Sequence, residues 1–100
     1  MPSSANGEPH FQLDMSGAIV EALRRLQRRA SSEGRGKAFL AAVRKAVERL
    51  RRDATRFGEP LYRLPALRLQ VRLAVVGPLV LYFAVHEDRP LVFFKSVKLL

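Results

Sequence analysis

The chain has 100 residues, of which 48% are hydrophobic, and its 18 Lys and Arg against 9 Asp and Glu give a formal net charge of +9. This length holds one domain with one core, and the hydrophobic fraction excludes a disordered polyelectrolyte. The absence of cysteine excludes disulfides, thiolate catalysis and Cys-ligated metals, and it fits a reducing compartment.

The N-terminal segment predicts a disordered tail over residues 1–9, followed by a single domain over residues 10–100. The tail lacks a charged region followed by an apolar one, so the sequence predicts no signal peptide. Residues 73–85 are uncharged but number only thirteen, whereas a membrane-spanning helix needs about 20 residues. The sequence therefore predicts a cytoplasmic protein without a membrane partner.

The first half of the chain predicts a short strand and two amphipathic helices. Residues 10–14 alternate apolar and polar side chains, which favours a strand. Ser16 is a predicted N-cap for a helix over residues 17–30, and a second helix is predicted over residues 37–54 after a polar connector. Each helix carries one apolar stripe at steps of three and four residues. The stripes consist of Ile19, Leu23, Leu26 and Ala30 in the first helix and of Phe39, Val43, Ala46 or Val47, Leu50 and Ala54 in the second.

The second half has the pattern of strands. Residues 61–67 are predicted to be extended, and from Leu67 to Val75 apolar residues alternate with Arg68, Gln70 and Arg72. This alternation predicts a strand that buries its odd-numbered face and exposes its arginines. Residues 79–85 are apolar on both faces, as in a central strand, and a last strand follows over residues 91–100.

These elements predict an α+β fold of order β-α-α-β-β-β, with an N-terminal helical hairpin packed on a small, mainly antiparallel sheet. In this fold the uncharged stretch at residues 75–85 is the turn into the central strand and the strand itself.

Three passages resemble the RelE/ParE family of toxins from bacterial toxin–antitoxin pairs. They are HFQLDMSGAIVEALRRL, GEPLYRLPALRLQVRL and VGPLVLYFAVHEDRPLVFFKSV, and the likeness covers roughly residues 10–99. The resemblance implies a type II toxin-like protein that is neutralised by an acidic antitoxin. It also implies that the protein acts on a large partner, which is DNA gyrase for ParE-type members and the ribosome with its mRNA for the RNase members.

The resemblance does not extend to every catalytic position of the RNase members. Gly77 and Tyr82 match the family motif, but Leu79 stands where the phosphate-binding arginine is expected, and the chain ends where catalytic residues often follow. The enzyme prediction therefore leans towards no catalysis. If the protein is an enzyme, the resemblance implies an endoribonuclease. Its catalytic candidates are Arg68, Arg72 and Lys95.

The arginines are the predicted binding residues. Arg24, Arg25 and Arg28 form a dense cluster on the first helix, and Arg63, Arg68 and Arg72 belong to the passage into the sheet. An acidic antitoxin suits this charge, and a nucleic-acid-binding module is the alternative function. No cofactor or metal site is predicted, because no ligand spacing is present. A homodimer is a further predicted assembly, through the apolar end of the last strand.

Overall fold

The computed structural model describes residues 10–100, and the predicted disordered tail over residues 1–9 lies outside them. Two helices and five strands make an α+β fold. In chain order they are β1 (Gln12–Met15), α1 (Gly17–Ser32), α2 (Gly36–Asp53), β2 (Glu59–Leu64), β3 (Leu69–Val76), β4 (Leu79–His86) and β5 (Leu91–Leu99).

Both predicted helices are confirmed, and so is the predicted N-cap. The hydroxyl of Ser16 accepts a hydrogen bond from the amide of Ile19 at 3.3 Å, which satisfies one of the free amides at the start of α1. Both apolar stripes face the core. In α2, for example, Phe39 and Leu50 are among the largest fully buried side chains.

The sheet has the strand order β1-β5-β4-β3-β2. The β1 strand runs parallel to β5, and the other three pairings are antiparallel. The β4 strand is hydrogen-bonded on both edges, as its uninterrupted apolar sequence predicted. The Gly77-Pro78 turn joins it to β3, and Gly77 has a φ of 54°, which favours glycine.

The prediction of three strands after the helices was wrong, because the structure has four. Residues 61–67 do not form one extended segment: β2 ends at Leu64, and Pro65–Leu67 form a turn of 3-10 helix. Proline suits the first position of a helical turn, where no amide hydrogen bond is needed. Arg68 ends this turn with a φ of 57°, so it precedes β3 and lies outside the strand's alternation.

The predicted burial of β3 was also wrong, because the strand turns its even-numbered face to the helices. Ala74 and Val76 belong to the core beneath the helices, whereas Val75 is 61% exposed. An apolar alternation shows that one face is hydrophobic, but it does not show which face the helices cover. The arginine on the even face, Arg72, is buried.

Both helices pack on the same face of the sheet. The core cluster joins the apolar stripes of α1 and α2 to alternate residues of the strands, including Leu81 and Phe83 of β4. Residues on the opposite face of the sheet, such as Tyr82, lie outside this cluster. Within residues 10–100, neither helix is long and apolar enough to cross a membrane.

Candidate partner-binding surface

The α1 helix displays its predicted arginines to solvent. Arg24, Arg25 and Arg28 are all exposed, because they lie off the apolar stripe that faces the sheet. Arg24 lies 3.7 Å from the carboxylate of Glu21, a surface pair that contributes little to stability. Within residues 10–100, Arg25 and Arg28 have no carboxylate within 4.0 Å. Their charges are available to an acidic partner.

A groove of about 520 Å³ lies between α2 and the turn that joins β3 to β4. The α2 side chains that face this turn are small, so they leave the groove unfilled. Lys45 and Arg49 lie at the border of the groove. The groove is lined by Ala38, Ala41, Ala42, Lys45, Arg49, Phe57, Val75, Val76, Gly77 and Pro78. It has the volume of a typical ligand pocket and combines apolar walls with cations. The sequence analysis missed it, because alanines beside an apolar stripe carry no distinct signal.

One cation of the groove is held in place and the other is free to pair. The guanidinium of Arg49 lies 4.7 Å from the centre of the Phe57 ring, a cation–π geometry. Its Nε donates to a carboxylate oxygen of Asp53 at 2.8 Å. Lys45 has no carboxylate within 4.0 Å in the described part of the chain. We name Arg25, Arg28 and Lys45 the helical cations.

Arg63 and Arg68, which were predicted to bind a partner, form ion pairs with the turn that follows β4. Arg63 of β2 donates to both carboxylate oxygens of Glu87, with Nη2 at 2.9 Å. Arg68 binds Asp88 in the same way, with Nη2 at 2.7 Å. Bidentate pairs of this kind are the strong form of the contact. The side chain of His86 accepts hydrogen bonds from the amides of residues 88 and 89, which orders the same turn.

These pairs predict a loss of thermal stability in acid. Hydrogen bonds from Arg63 lower the pKa of Glu87 below its ordinary 4.5, and those from Arg68 lower the pKa of Asp88 below its ordinary 3.8. A carboxylate with a lowered folded pKa stabilises the fold fully above its unfolded pKa, and this stabilisation disappears as the pH falls through the folded pKa. The melting temperature, measured by circular dichroism, should therefore be highest above about pH 5 and should fall as the pH drops below the unfolded pKa values of about 4.

The double variant Glu87→Gln/Asp88→Asn should melt at a lower temperature than the wild type at neutral pH. Its melting temperature should also fall less than that of the wild type when the pH is lowered. The matched control is Glu21→Gln, which removes one carboxylate from an exposed pair on α1. This control should keep the wild-type pH profile. An unchanged profile in the double variant would show that the two arginine pairs contribute nothing to acid sensitivity.

Arg72 is buried on the helix side of the sheet, with 7% of its surface exposed. Its Nε donates to the carbonyl of Phe57 at 2.9 Å and its Nη2 to the carbonyl of Gly58 at 3.1 Å. Its Nη1 donates to the side-chain oxygen of Gln70 at 2.7 Å. Burial lowers the pKa of this guanidinium. Arg72 thus binds the segment that leads from the helices into β2.

The three catalytic candidates do not converge on one site. Arg68 lies outside β3 and is paired with Asp88, whereas Arg72 is buried on the helix side of the sheet and bound to main-chain carbonyls. The prediction that both share an exposed strand face was therefore wrong. Lys95 lies on β5 at a bulge, where Phe83 pairs with Phe94 but Tyr82 pairs with Ser96. This extra residue interrupts the alternation of faces along β5.

A smaller cleft of about 220 Å³ lies at the other end of the sheet from the groove. It is lined by Thr55, Arg63, Gln70, Val85, His86 and Glu87. Its main charged groups, Arg63 and Glu87, neutralise each other. Within residues 10–100, no three His, Cys, Asp or Glu residues are grouped as a metal site would require. The cleft therefore offers polar contacts but no net charge of its own.

Comparison with known proteins adds no relative to this description: no family model, no curated protein and no solved structure matches the chain.

Proposed function

We propose that this protein is a toxin-like component of a type II toxin–antitoxin pair. It acts by binding another protein, DNA gyrase or the translation machinery, and an acidic antitoxin neutralises it. The proposal rests on the family resemblance of the sequence. The α+β architecture, with two helices against a five-stranded sheet, agrees with it at the coarse level of fold class.

The structural observation that supports the proposal is the groove beside α2, where apolar walls adjoin one unpaired cation, Lys45. Ala38, Ala41 and Pro78 offer apolar contact, and Lys45 stands among them without a carboxylate. An amphipathic acidic segment fits this combination, because its apolar side chains can enter the groove while a carboxylate reaches Lys45. The formal net charge of +9 also attracts such a segment from a distance.

The geometry favours binding over RNA cleavage. Cleavage by a 2′-hydroxyl needs cations and proton donors that converge on one phosphate. Here Arg68 is neutralised by Asp88, and Arg72 uses its donors on the Phe57 and Gly58 carbonyls. Neither side chain is free to bind a phosphate without giving up contacts that order the fold.

Expression in bacteria tests the proposal. Induced expression of the chain alone should arrest colony growth, and co-expression of a neighbouring gene for a small acidic protein should restore growth. Normal growth during expression of the folded chain would contradict the proposal. If growth stops and is restored, DNA supercoiling and protein synthesis, measured after induction, should distinguish gyrase from the ribosome as the target.

Charge reversal in the groove tests where the antitoxin binds. Lys45→Glu should weaken the toxin–antitoxin complex by about tenfold or more, because it replaces a cation at the apolar groove by an anion. The matched control is Arg89→Glu, an equal charge change in the exposed turn at the opposite end of the sheet. Titration calorimetry with the co-expressed antitoxin measures both variants. Equal losses would mean that only the overall charge matters and that the groove is not the site.

Nucleic-acid binding is a second candidate function, favoured by the unpaired guanidinium groups of Arg25 and Arg28 on neighbouring turns of α1. Contacts of this kind with phosphates release counterions, so the affinity should fall steeply as salt rises. Arg25→Ala should reduce the slope of log K against log salt by about one for duplex DNA. No measurable binding to DNA or RNA at low salt would exclude this candidate.

A further inference from the structure

The sheet face opposite the helices is apolar and bare. Its apolar side chains come from β2 to β5, with the polar Gln12 and Asp14 of β1, His86 and Ser96 beside them, and within residues 10–100 neither helix packs on it. The strand registers assign to this face Tyr62, Leu64, Leu69, Val71, Leu73, Val75, Val80, Tyr82, Ala84, Leu91 and Phe93. We call this the bare face. Tyr62 is 53% exposed and Val75 is 61% exposed, so apolar area remains in contact with water.

The centre of the bare face is already dry. Val71 and Ala84, paired across β3 and β4, are each 1% exposed. Their cross-strand neighbours Tyr62 and Phe93 flank them on either side. A partner would therefore contact the larger, partly exposed side chains around Val71 and Ala84, among them Tyr62 and Phe93, and aromatic residues of this kind are enriched in protein interfaces.

The bare face is large enough for a stable interface. The strands are four, six, eight, eight and nine residues long, so at a spacing of about 4.8 Å and about 3.3 Å per residue the sheet covers roughly 550 Å² in plan. Accessible surface exceeds plan area because side chains project from the sheet. The face therefore approaches the roughly 800 Å² of accessible surface that each partner buries in a standard complex. Monomers seldom expose a contiguous apolar patch beyond a few hundred Å².

The charges near this face favour a second copy of the chain as the occupant. The registers place Asp14, Glu59 and Lys98 on the same side as the bare face, at its margins. This side is therefore almost neutral, although the whole chain carries +9. An acidic partner would find few cations here and many on the helices. Two copies joined through this face would place their helical cations on opposite outer surfaces.

We propose that the bare face binds the bare face of a second copy of this chain, giving a two-fold symmetric dimer. The two sheets pack face to face about 10 Å apart, as in a β-sandwich. Helices then cover the outer side of each sheet. The α2 side of the groove and the helical cations stay accessible, whereas Val75 belongs both to the groove and to the bare face. The dimer does not rest on the proposed function.

Salt dependence separates this contact from binding to an acidic partner. Two copies with +9 each repel at low ionic strength, and salt screens charges separated by more than about 10 Å at 0.1 M. The dimer should therefore become tighter as salt rises. Attraction between the helical cations and an acidic partner should instead become weaker under the same conditions.

Sedimentation equilibrium of the full chain is the test, with the variants Tyr82→Lys and Tyr62→Lys. The wild type at about 100 µM should show twice the 11.3 kDa mass of the chain, because standard interfaces bind at micromolar Kd or tighter. Each lysine should raise the dimer Kd at least tenfold by placing like charges across the interface. Tyr62 is already 53% exposed, so its variant remains folded and decides the test if Tyr82→Lys unfolds.

Leu40→Lys is the matched control, because Leu40 is 45% exposed on α2, on the helix side of the sheet. It should leave the dimer intact. A monomeric wild type at this concentration, or a dimer that survives Tyr62→Lys, would overturn the proposal.

Discussion

Gly58→Ala should lower the melting temperature by about 15 °C, the largest effect we expect from a single methyl group in this protein. Gly58 has a φ of +70°, and a Cβ at this position would lie 2.1 Å from the main-chain oxygen of Leu73. The backbone of β3 must move to relieve this contact. Left-handed strain and overpacking together cost about 3 kcal/mol or more, out of the roughly 5–15 kcal/mol that stabilise a domain.

Gly34→Ala is the matched control for this prediction. Gly34 has a φ of +75°, yet a Cβ there would meet nothing within 4 Å. Its substitution carries only the cost of the left-handed backbone, about 1 kcal/mol, or about 5 °C. Thermal unfolding of both variants by circular dichroism measures the difference. Equal shifts would mean that the backbone conformation, and not the approach to Leu73, explains the need for glycine at residue 58.

Arg72→Met should destabilise the fold by about 2–3 kcal/mol, the second large effect. Methionine fills the space of the side chain and relieves the burial of a charge, which on its own is favourable. The carbonyls of Phe57 and Gly58 and the amide oxygen of Gln70 nevertheless lose their donor. The Phe57 carbonyl is buried, and a buried acceptor left unpaired costs about 1–3 kcal/mol. The partly buried Gly58 and Gln70 oxygens can bind water and add less, and the loss should still outweigh the gain. Urea denaturation measures the change in free energy of unfolding.

Arg63→Met is the control, because Arg63 forms an equally bonded but exposed pair with Glu87. Solvent screens this pair, so its loss should shift the urea midpoint far less than the loss of Arg72. A stable Arg72→Met variant that still abolishes growth arrest would contradict a purely structural role. Such a result would mean that Arg72 has a functional role besides its structural one.

Stability data on Arg72 are needed before any toxicity result is interpreted. An Arg72 substitution that removes toxicity is the expected result for an RNase, but it is also the expected result for an unfolded protein. The free energy of unfolding separates the two. Lys45→Glu avoids this ambiguity, because Lys45 is exposed at the groove and its substitution leaves the core contacts intact.

The sequence by itself determined the elements whose signals are local. The stripes that begin at Ile19 and Phe39 predicted both helices, and Ser16 predicted where α1 begins. The apolar run of β4 and the Gly77-Pro78 turn predicted a central strand with a tight connection. These predictions were correct because side-chain periodicity, capping and turn chemistry depend on residues close together in the chain.

Only the tertiary structure decided what the second half of the chain contacts. The alternation from Leu67 to Val75 could not show that the helices cover the even face of β3, because the odd face is the more apolar of the two. The sequence also separates Arg72 from Phe57 by 15 residues and Arg68 from Asp88 by 20. A side chain's hydrogen-bond partner across such distances depends on the path of the whole chain. For this reason Arg68 and Arg72, which the sequence indicated as candidate catalytic residues, are hydrogen-bonded to loop residues in the folded protein.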